Sequence, residues 1–167
     1  AFLDVPHEGC GQRSDHEVAR VRDLVDNLIA QQVRGPDGAV RALTLDDIRV
    51  VAPYNMQVNA LQRALPAGAH VGTVDRFQGQ EAEVVIVSMA TSGPADLPRH
   101  VEFLYSRNRL NVAVSRARCL SIVVASPGLL DLPCSSVEQV RLVNTLCWLR
   151  AYAQTGETGP TIAGTVV

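Results

Sequence analysis

Lysine is absent from this sequence: all 15 basic side chains among its 167 residues are arginines. A Walker A loop, which holds the β- and γ-phosphates of a nucleotide, needs a lysine beside its glycines. No such loop can exist in this chain. Any nucleotide chemistry in which the chain takes part must draw its phosphate-binding lysine from elsewhere.

The chain also has little net charge and no long apolar run. Its formal net charge is −2, which argues against binding nucleic acid by bulk electrostatics, so any nucleic-acid site must be local. No apolar stretch approaches the roughly 20 residues that cross a membrane, and the first residues do not form a signal peptide. We therefore expect a soluble, cytoplasmic protein with no membrane partner, and its abrupt start suggests a piece of a longer chain.

Cysteine usage excludes two further classes of protein. The four cysteines form no C-x-x-C pair, and no histidine lies at metal-binding spacing, so we expect neither a metal site nor a disulfide framework. Thiols that are buried or idle in a reducing cytoplasm account for all four. These residues are Cys10, Cys119, Cys134 and Cys147.

Short apolar runs alternate with helical periodicity, which is typical of an α/β sandwich with a mostly parallel central sheet. One helix is expected to begin at Ser14, where a capping box would join the Ser14 hydroxyl to the backbone N–H of Glu17 and the Glu17 carboxylate to that of Ser14. We expect one domain over residues 1–154 and a mobile tail over 155–167. Strands are predicted at 2–6, 48–52, 70–73, 83–90 and 120–125, with further helices near 56–65, 109–116 and from 136.

Three polar clusters accompany the predicted strands. Tyr54 follows one strand, the polar stretch GTVDRFQGQE at 72–81 follows another, and RLNVAVSRAR at 109–118 leads into a third. In open parallel sheets ligands bind at the carboxyl ends of the strands. We therefore expect all three clusters to meet at one edge of the sheet and to form a site there.

These stretches resemble the motifs of superfamily-1 helicases. VVAPYNMQ at 50–57 is similar to motif IV, GTVDRFQGQE to motif V and RLNVAVSRAR to motif VI. The resemblance is strongest for the Dna-type and Upf-type helicases of superfamily 1B, and residues 103–126 look closest to bacterial proteins with a RecB-like nuclease domain before the helicase. It implies a RecA-like three-layer sandwich, the second motor domain of such an enzyme, without the Walker A, motif II and motif III of the first.

Motif VI is defined by its arginines. Arg109 and Arg116 are seven residues apart, so on a helix both project from one face, and an arginine fork there suits a phosphate. A solvated basic face paired with acidic neighbours is the alternative. The resemblance implies that Arg116 reaches the γ-phosphate of ATP and that Arg109 helps to bind the nucleotide, although Arg109 also fits a structural role. Arg118 is interpreted as a structural ion-pair member.

In motif V the resemblance assigns several roles. Gln78 and Gly79 match residues that couple the phosphate site to the nucleic-acid track, and we assign Gln78 to catalysis and Gly79 to the nucleotide. Glu81 matches an acid that contacts the nucleotide sugar, where a carboxylate can accept two ribose hydroxyls. Thr73 matches a residue that meets a phosphate of the bound strand. Phe77 is expected in the core rather than under a base.

In motif IV, Tyr54 and Asn55 are the candidate nucleic-acid contacts. Tyrosine offers a ring face to a base and a hydroxyl to a phosphate. The alternative, which the sequence leaves open, is that Tyr54 only closes the end of its strand.

The sequence thus predicts the C-terminal motor domain of an ATP-dependent helicase. ATP and Mg²⁺ would be held mainly by a missing N-terminal RecA-like domain, single-stranded nucleic acid, DNA rather than RNA, would cross both domains, and the chain alone would be inactive. A RecB-like nuclease domain and a part in DNA repair are further expectations. The alternatives are a stand-alone nucleic-acid or protein-binding module with the same fold, and a small-molecule enzyme of flavodoxin-like architecture.

Overall fold

The computed structural model of the chain describes residues 1–35, 38–77, 79–97, 104, 110–111, 114–134 and 136–155. The helices and strands are β1 Phe2–Asp4, α1 Asp15–Leu28, β2 Gln32–Arg34, β3 Val40–Ala42, β4 Ile48–Val51, α2 Asn55–Ala64, β5 His70–Gly72, β6 Ala82–Ser88, β7 Ala117–Ala125 and α3 Val137–Gln154. The centre of the fold is a five-stranded sheet with the strand order β1-β7-β6-β4-β5, in which every neighbouring pair is parallel.

Both faces of the sheet are covered. Successive residues of a strand point to opposite faces, and in β4 Val50 joins the apolar cluster that includes α1 and α2, whereas Val51 joins a second cluster with Phe77 and Leu146 of α3. Strands that are buried on both faces explain the continuous apolar runs of the sequence. The predicted α/β fold, a three-layer sandwich around a mostly parallel sheet, is confirmed.

Several elements differ from the prediction. Strand β1 ends at Asp4 rather than residue 6, and β7 begins at Ala117 rather than Leu120. The segment after α1 forms a small antiparallel hairpin of β2 and β3, where the sequence predicted only a loop. Its residue Val33 is buried against the first apolar cluster, which attaches the hairpin to the domain. Strand β6 ends at Ser88 rather than Ala90, because Ala90 has a φ of +68°, a left-handed conformation that strands do not contain.

Only half of the predicted capping box is present at the start of α1. The Ser14 hydroxyl accepts a hydrogen bond from the backbone N–H of Glu17 at 3.2 Å, as predicted. The Glu17 carboxylate does not reach back to Ser14 but is fully buried beside β6. It accepts hydrogen bonds from the Ser88 hydroxyl at 2.6 Å and the Ala90 backbone N–H at 2.9 Å, and it lies 3.1 Å from Nε2 of His7.

Gln57 of α2 extends this buried polar network. Its side-chain oxygen accepts the backbone N–H of Ser14 at 2.9 Å, and its amide donates to the Ser88 hydroxyl at 2.8 Å. His7 contacts the Ser92 hydroxyl at 2.7 Å. The network ties the beginnings of α1 and α2 to the carboxyl end of β6. We call His7, Ser14, Glu17, Gln57, Ser88 and Ser92 the buried polar network.

Helix α3 begins at the Ser136 cap that the sequence predicts, with the hydroxyl accepting the backbone N–H of Gln139 at 3.2 Å. Leu146 is buried, whereas Val140 is 44% exposed. Trp148 is 62% exposed and stacks on Tyr152, so it does not anchor the helix to the core. The helix ends at Gln154, and the predicted tail lies almost wholly outside the described residues, so the domain boundary stays a prediction.

The cysteine thiols are half-buried and free. Burial, followed by a hydrogen bond to Glu83, raises the pKa of Cys119 to about 11, and burial also raises that of Cys147. Such thiols stay protonated and unreactive near neutral pH. Among the described residues there is no group of side chains that could hold a metal ion, and no described helix is long and apolar enough to cross a membrane.

The short turn before β4 supplies a first testable prediction. The Arg41 guanidinium hydrogen-bonds to Asp47, and with the Thr44 hydrogen bonds it lowers the pKa of that carboxyl from 3.8 to about 2. A lowered pKa stabilises the fold above about pH 4, and this contribution is lost as the pH falls through about 2. Because Arg41 is half exposed and solvent screens the pair, we expect Asp47→Asn to cost only about 1 kcal/mol at pH 6.

Urea unfolding of Asp47→Asn and the parent at several pH values measures this effect. The difference in the free energy of unfolding should narrow between about pH 4 and pH 2. Asp26→Asn is the control, because Asp26 is 52% exposed and its carboxylate comes no closer than 3.9 Å to the Arg22 guanidinium, which makes a weak pair. An equal deficit for Asp47→Asn at pH 2 and pH 6 would contradict the role of the ion pair.

Candidate functional site

The polar motifs lie at two edges of the sheet rather than one. Tyr54 and Thr73 follow the carboxyl ends of β4 and β5, where Val51 pairs with Gly72. Glu81 and Arg116 immediately precede the amino ends of β6 and β7. Since all five strands are parallel, these pairs occupy opposite edges. The expectation of one shared edge is therefore wrong.

Motif V connects the two edges. Residues 73–81, the crossover segment, leave the carboxyl end of β5 and reach the amino end of β6, with one 3₁₀ turn at Val74–Phe77. Phe77 is 6% exposed in the second apolar cluster, in agreement with its predicted core position. A Cβ at Gly72 would lie 2.5 Å from Cδ of Arg76, so a larger residue there would force the Arg76 side chain to move. The segment therefore packs against its own chain along the sheet face.

At the carboxyl edge the three predicted nucleic-acid contacts differ in exposure. Asn55, the first residue of α2, is exposed, and Thr73 is half-buried. Tyr54 is only 4% exposed and belongs to the second apolar cluster, which agrees with the alternative that it closes the strand end. The nucleic-acid role of all three stays a prediction.

At the amino edge Glu81 pairs with Arg118. Nε of Arg118 donates to the Glu81 carboxylate at 3.0 Å, and both side chains are more than half exposed. This is the structural ion pair predicted for Arg118. The exposed carboxylate of Glu81 can still accept hydroxyl groups from a ligand, so its predicted sugar contact stays open. Gly79 has a φ of +81°, a conformation that favours glycine.

Arg116 lies in the turn before β7, and its carbonyl accepts the backbone N–H of Ala82 at 3.0 Å, which fixes its backbone to the start of β6. Its side chain is half-buried, and among the described residues its guanidinium has no hydrogen bond or ion pair. Its Nε is fully buried without an acceptor. The other two residues predicted for this site, Gln78 and Arg109, lie outside the described residues.

A second arginine, which the sequence analysis missed, lies beside Arg116. Arg49 is 5.9 Å from the ring centroid of Phe77, and its Nη1 donates to the Asp46 carbonyl at 2.7 Å, while its Nε is buried without an acceptor. A charged residue inside the apolar run Ile48–Ala52 was the signal that could have found it. Arg49 and Arg116 line one small cavity, the arginine cavity, together with Val51, Val74, Phe77, Gln80 and Val85.

Among the residues that the structure describes, no carboxylate lines the arginine cavity to compensate its positive charge. Guanidinium groups that are partly desolvated gain most from a bound anion, and phosphate oxygens match their planar donor geometry. The cavity volume is about 10 Å³, room for about one water molecule, so the cavity itself does not hold a phosphate group, and no described cluster of side chains fits Mg²⁺.

Comparison with known proteins gives a consistent family. The profile of the AAA domain family (AAA_12) matches residues 8–128. Putative helicase mov-10-B.2 of Danio rerio is 33% identical over 128 residues, which is 68% of this chain. Probable RNA helicase armi of Drosophila melanogaster is 37% identical over 97 residues, and DNA-binding protein SMUBP-2 of Rattus norvegicus 39% identical over 103, covering 53% and 52% of this chain.

These relatives are much longer than this chain. The matched regions span 13% of mov-10-B.2, 8% of armi and 10% of SMUBP-2. The similarity therefore concerns one domain of each relative.

Proposed function

The chain belongs to the AAA domain family found in superfamily-1 helicases, and on this basis we propose that it is the second RecA-like motor domain of an ATP-dependent helicase. The observation that carries the proposal is the half-buried guanidinium of Arg116, which has no acceptor among the described residues and lies at the amino edge of β7. An acceptor supplied by a nucleotide would complete its interactions.

In this proposal the amino edge serves the nucleotide. ATP and Mg²⁺ would be held mainly by an N-terminal RecA-like domain. ATP would supply the phosphoryl group that is transferred to water. Arg116 binds the γ-phosphate and neutralises the charge that grows there in the transition state. Glu81 accepts hydroxyls of the sugar, and Arg109 and Gly79 add nucleotide contacts. Gln78 is assigned to the catalytic group because it matches a residue that couples the phosphate site to the nucleic-acid track in related helicases.

The carboxyl edge serves the nucleic acid. Asn55 and Thr73 would contact phosphates of a single strand, with Tyr54 supporting them from beneath. The crossover segment begins at Thr73 and ends at Glu81. A movement of the bound nucleic-acid strand would therefore be transmitted along one short stretch of backbone to the nucleotide site. This gives the segment a coupling role between the two sites.

Further features of the whole protein extend the proposal. We propose membership of superfamily 1B with 5′-to-3′ movement on DNA rather than RNA, a RecB-like nuclease domain in the same chain, a part in DNA repair and a cytoplasmic location. The location rests on the free thiols, and the other proposals rest on the motif resemblance of residues 72–81 and 103–126.

The purified 167-residue chain should hydrolyse ATP no faster than buffer. It has no lysine to hold the phosphates, and its described residues contain no cluster of metal ligands. Phosphate release with and without single-stranded DNA measures this. The control is a longer protein in which a Walker A domain precedes the chain, where DNA should stimulate turnover.

Two results would contradict the proposal. Stimulated turnover by the 167-residue chain alone would show that the chain contains a complete site. Tight binding of single strands with a steep salt dependence, and no stimulated turnover by the longer protein, would favour a stand-alone binding module instead.

A further inference from the structure

Helix α3 carries most of the large apolar side chains that are exposed in the described part of the chain. The other such side chains are scattered singly over different elements. Single exposed apolar residues are normal on a protein surface, whereas a concentration of them that includes two aromatic rings marks a binding surface. The four on α3 are Val137, Val140, Trp148 and Tyr152, with exposed fractions of 71%, 44%, 62% and 54%.

A groove of about 380 Å³ lies beside the indole of Trp148. Its volume falls within the range of about 300–1,000 Å³ that is usual for small-molecule sites. The lining combines one aromatic ring with polar side chains, so the groove offers a flat apolar surface bordered by hydrogen-bonding groups. The described residues that line it are Asn111 of motif VI and Arg141, Asn144, Thr145 and Trp148 of α3.

The indole of Trp148 is supported from one side. Tyr152, one helical turn later, stacks on it with the ring centroids 5.4 Å apart and the ring planes inclined by 20°. Asn144 and Thr145, one turn earlier, line the groove together with Trp148. Tyr152 and the groove therefore lie on opposite sides of the indole along the helix. A ring that is already held on one side loses little conformational freedom when a flat ligand stacks on the other.

The polar lining of the groove decides which kind of ligand fits it. Arg141 is 66% exposed, and its ion pair with Glu138 measures 3.8 Å, which is a weak pair in water. Among the described lining residues none is acidic, so the Arg141 guanidinium is available to a phosphate. The amides of Asn111 and Asn144 offer both donors and acceptors. An apolar protein surface would bury these groups without partners, whereas a nucleotide has a flat base with a polar edge and a phosphate.

We propose that this groove binds a nucleobase of a single-stranded nucleic acid. The base stacks on the indole of Trp148, its polar edge meets the amides of Asn111 and Asn144, and the adjacent phosphate lies at Arg141. Stacking on an aromatic side chain tolerates every sequence, because each base has a π-face. The inference rests on the proposed function for the identity of the partner as nucleic acid. It adds a contact on α3, a helix that carries none of the three motifs.

Trp148 is the only tryptophan of the chain, so tryptophan fluorescence reports on this groove alone. The purified 167-residue chain is titrated with single-stranded oligothymidylate at low ionic strength. We expect saturable quenching of the Trp148 emission, because the bound base stacks on the indole. An abasic strand of the same length carries the same charge without bases and should leave the emission nearly unchanged.

Variants separate stacking from charge, with affinities measured by the fluorescence anisotropy of a labelled strand. Trp148→Leu should raise the dissociation constant about 10-fold, whereas Trp148→Phe keeps a ring and should stay within about threefold of the parent. Arg141→Gln should weaken binding and reduce its salt dependence. Arg22→Gln in α1 is the matched control and should bind as the parent does, because Arg22 is 62% exposed and lies 3.9 Å from a carboxylate of its own helix.

Several results would overturn the inference. They are no saturable quenching in the parent, equal quenching by the abasic strand, and equal affinities of Trp148→Leu and the parent. A change of the Trp148 emission with protein concentration alone would show that a second copy of the chain covers this face, and it would overturn the inference as well.

The proposed function fails or stands separately, because ATP turnover by the longer protein with its Walker A domain tests it. If a single strand stimulates that turnover while Trp148→Leu binds the strand as tightly as the parent, the groove assignment is wrong and the motor assignment stands. If the strand quenches Trp148 as expected but stimulates no turnover, the groove assignment stands and the motor assignment is wrong.

Discussion

Glu17→Ala should lower the free energy of unfolding by about 3–5 kcal/mol, which corresponds to a fall in Tm of about 10 °C or more for a chain of this size. The Glu17 carboxylate is fully buried and accepts hydrogen bonds from the Ser88 hydroxyl and the Ala90 N–H while contacting His7. Its removal leaves three polar groups in the interior with too few partners. Urea unfolding and thermal melts of the 167-residue chain measure the loss.

Two further variants distinguish the loss of the buried polar network from a general effect of removing a negative charge. Glu8→Ala removes an exposed carboxylate from the preceding loop and should change stability by less than about 0.5 kcal/mol. Glu17→Gln keeps the shape and one acceptor oxygen, so it should lose clearly less than Glu17→Ala. If Glu17→Ala proves no worse than Glu8→Ala, the buried polar network does not hold the fold together.

The role of Glu17 shows where sequence reasoning reached its limit. The S-x-x-E pattern predicted correctly that α1 begins at Ser14, because the hydroxyl cap is a local interaction within four residues. The prediction for Glu17 failed because the partners of its carboxylate, Ser88 and Ala90, lie more than 70 residues away in the chain. In the buried interior the Glu17 carboxylate accepts hydrogen bonds from these distant donors rather than from the backbone N–H of Ser14.

The edge assignment failed for a similar reason. Short, nearly continuous apolar runs identified β4, β6 and β7 and so the parallel sheet, because burial on both faces leaves a strong local pattern. The predictions that Thr73 follows its strand and that Arg116 precedes its strand were also correct. What the sequence analysis overlooked is that a connection between parallel strands must return along the sheet, which places the two ends of motif V at opposite edges.

Hairpin β2–β3 and Arg49 were missed although each left a signal. Gly-Pro-Asp-Gly between two valine-containing stretches is a turn sequence that favours a hairpin. Arg49 interrupts an apolar run at a position whose neighbours are buried. Both signals are short, and their meaning depends on packing: Val33 against the first cluster and Arg49 over Phe77.

Arg116→Ala should lower ATP turnover by at least about 100-fold in a protein that joins this chain to an N-terminal RecA-like domain with its Walker A lysine. The Arg116 guanidinium has no partner among the described residues, so its removal breaks no ion pair and the fold should be retained. Arginines that meet the charge developing on a transferred phosphoryl group contribute on the order of 10³ to 10⁵ in turnover. Nucleotide affinity should fall less than turnover, since that charge grows in the transition state. Single-turnover hydrolysis with saturating single strand measures the effect.

Arg118→Ala is the contrast two residues away. Arg118 pairs with Glu81 at 3.0 Å, but both side chains are more than half exposed, so its loss should cost about 1 kcal/mol of stability or less and leave turnover near the parent value. The two variants remove the same charge from neighbouring positions, one that is half-buried at the arginine cavity and one that is exposed at the surface. Thermal melts beside the kinetics separate folding from chemistry. Turnover near the parent rate in Arg116→Ala, or a larger loss in Arg118→Ala, would mean that Arg116 does not meet the γ-phosphate.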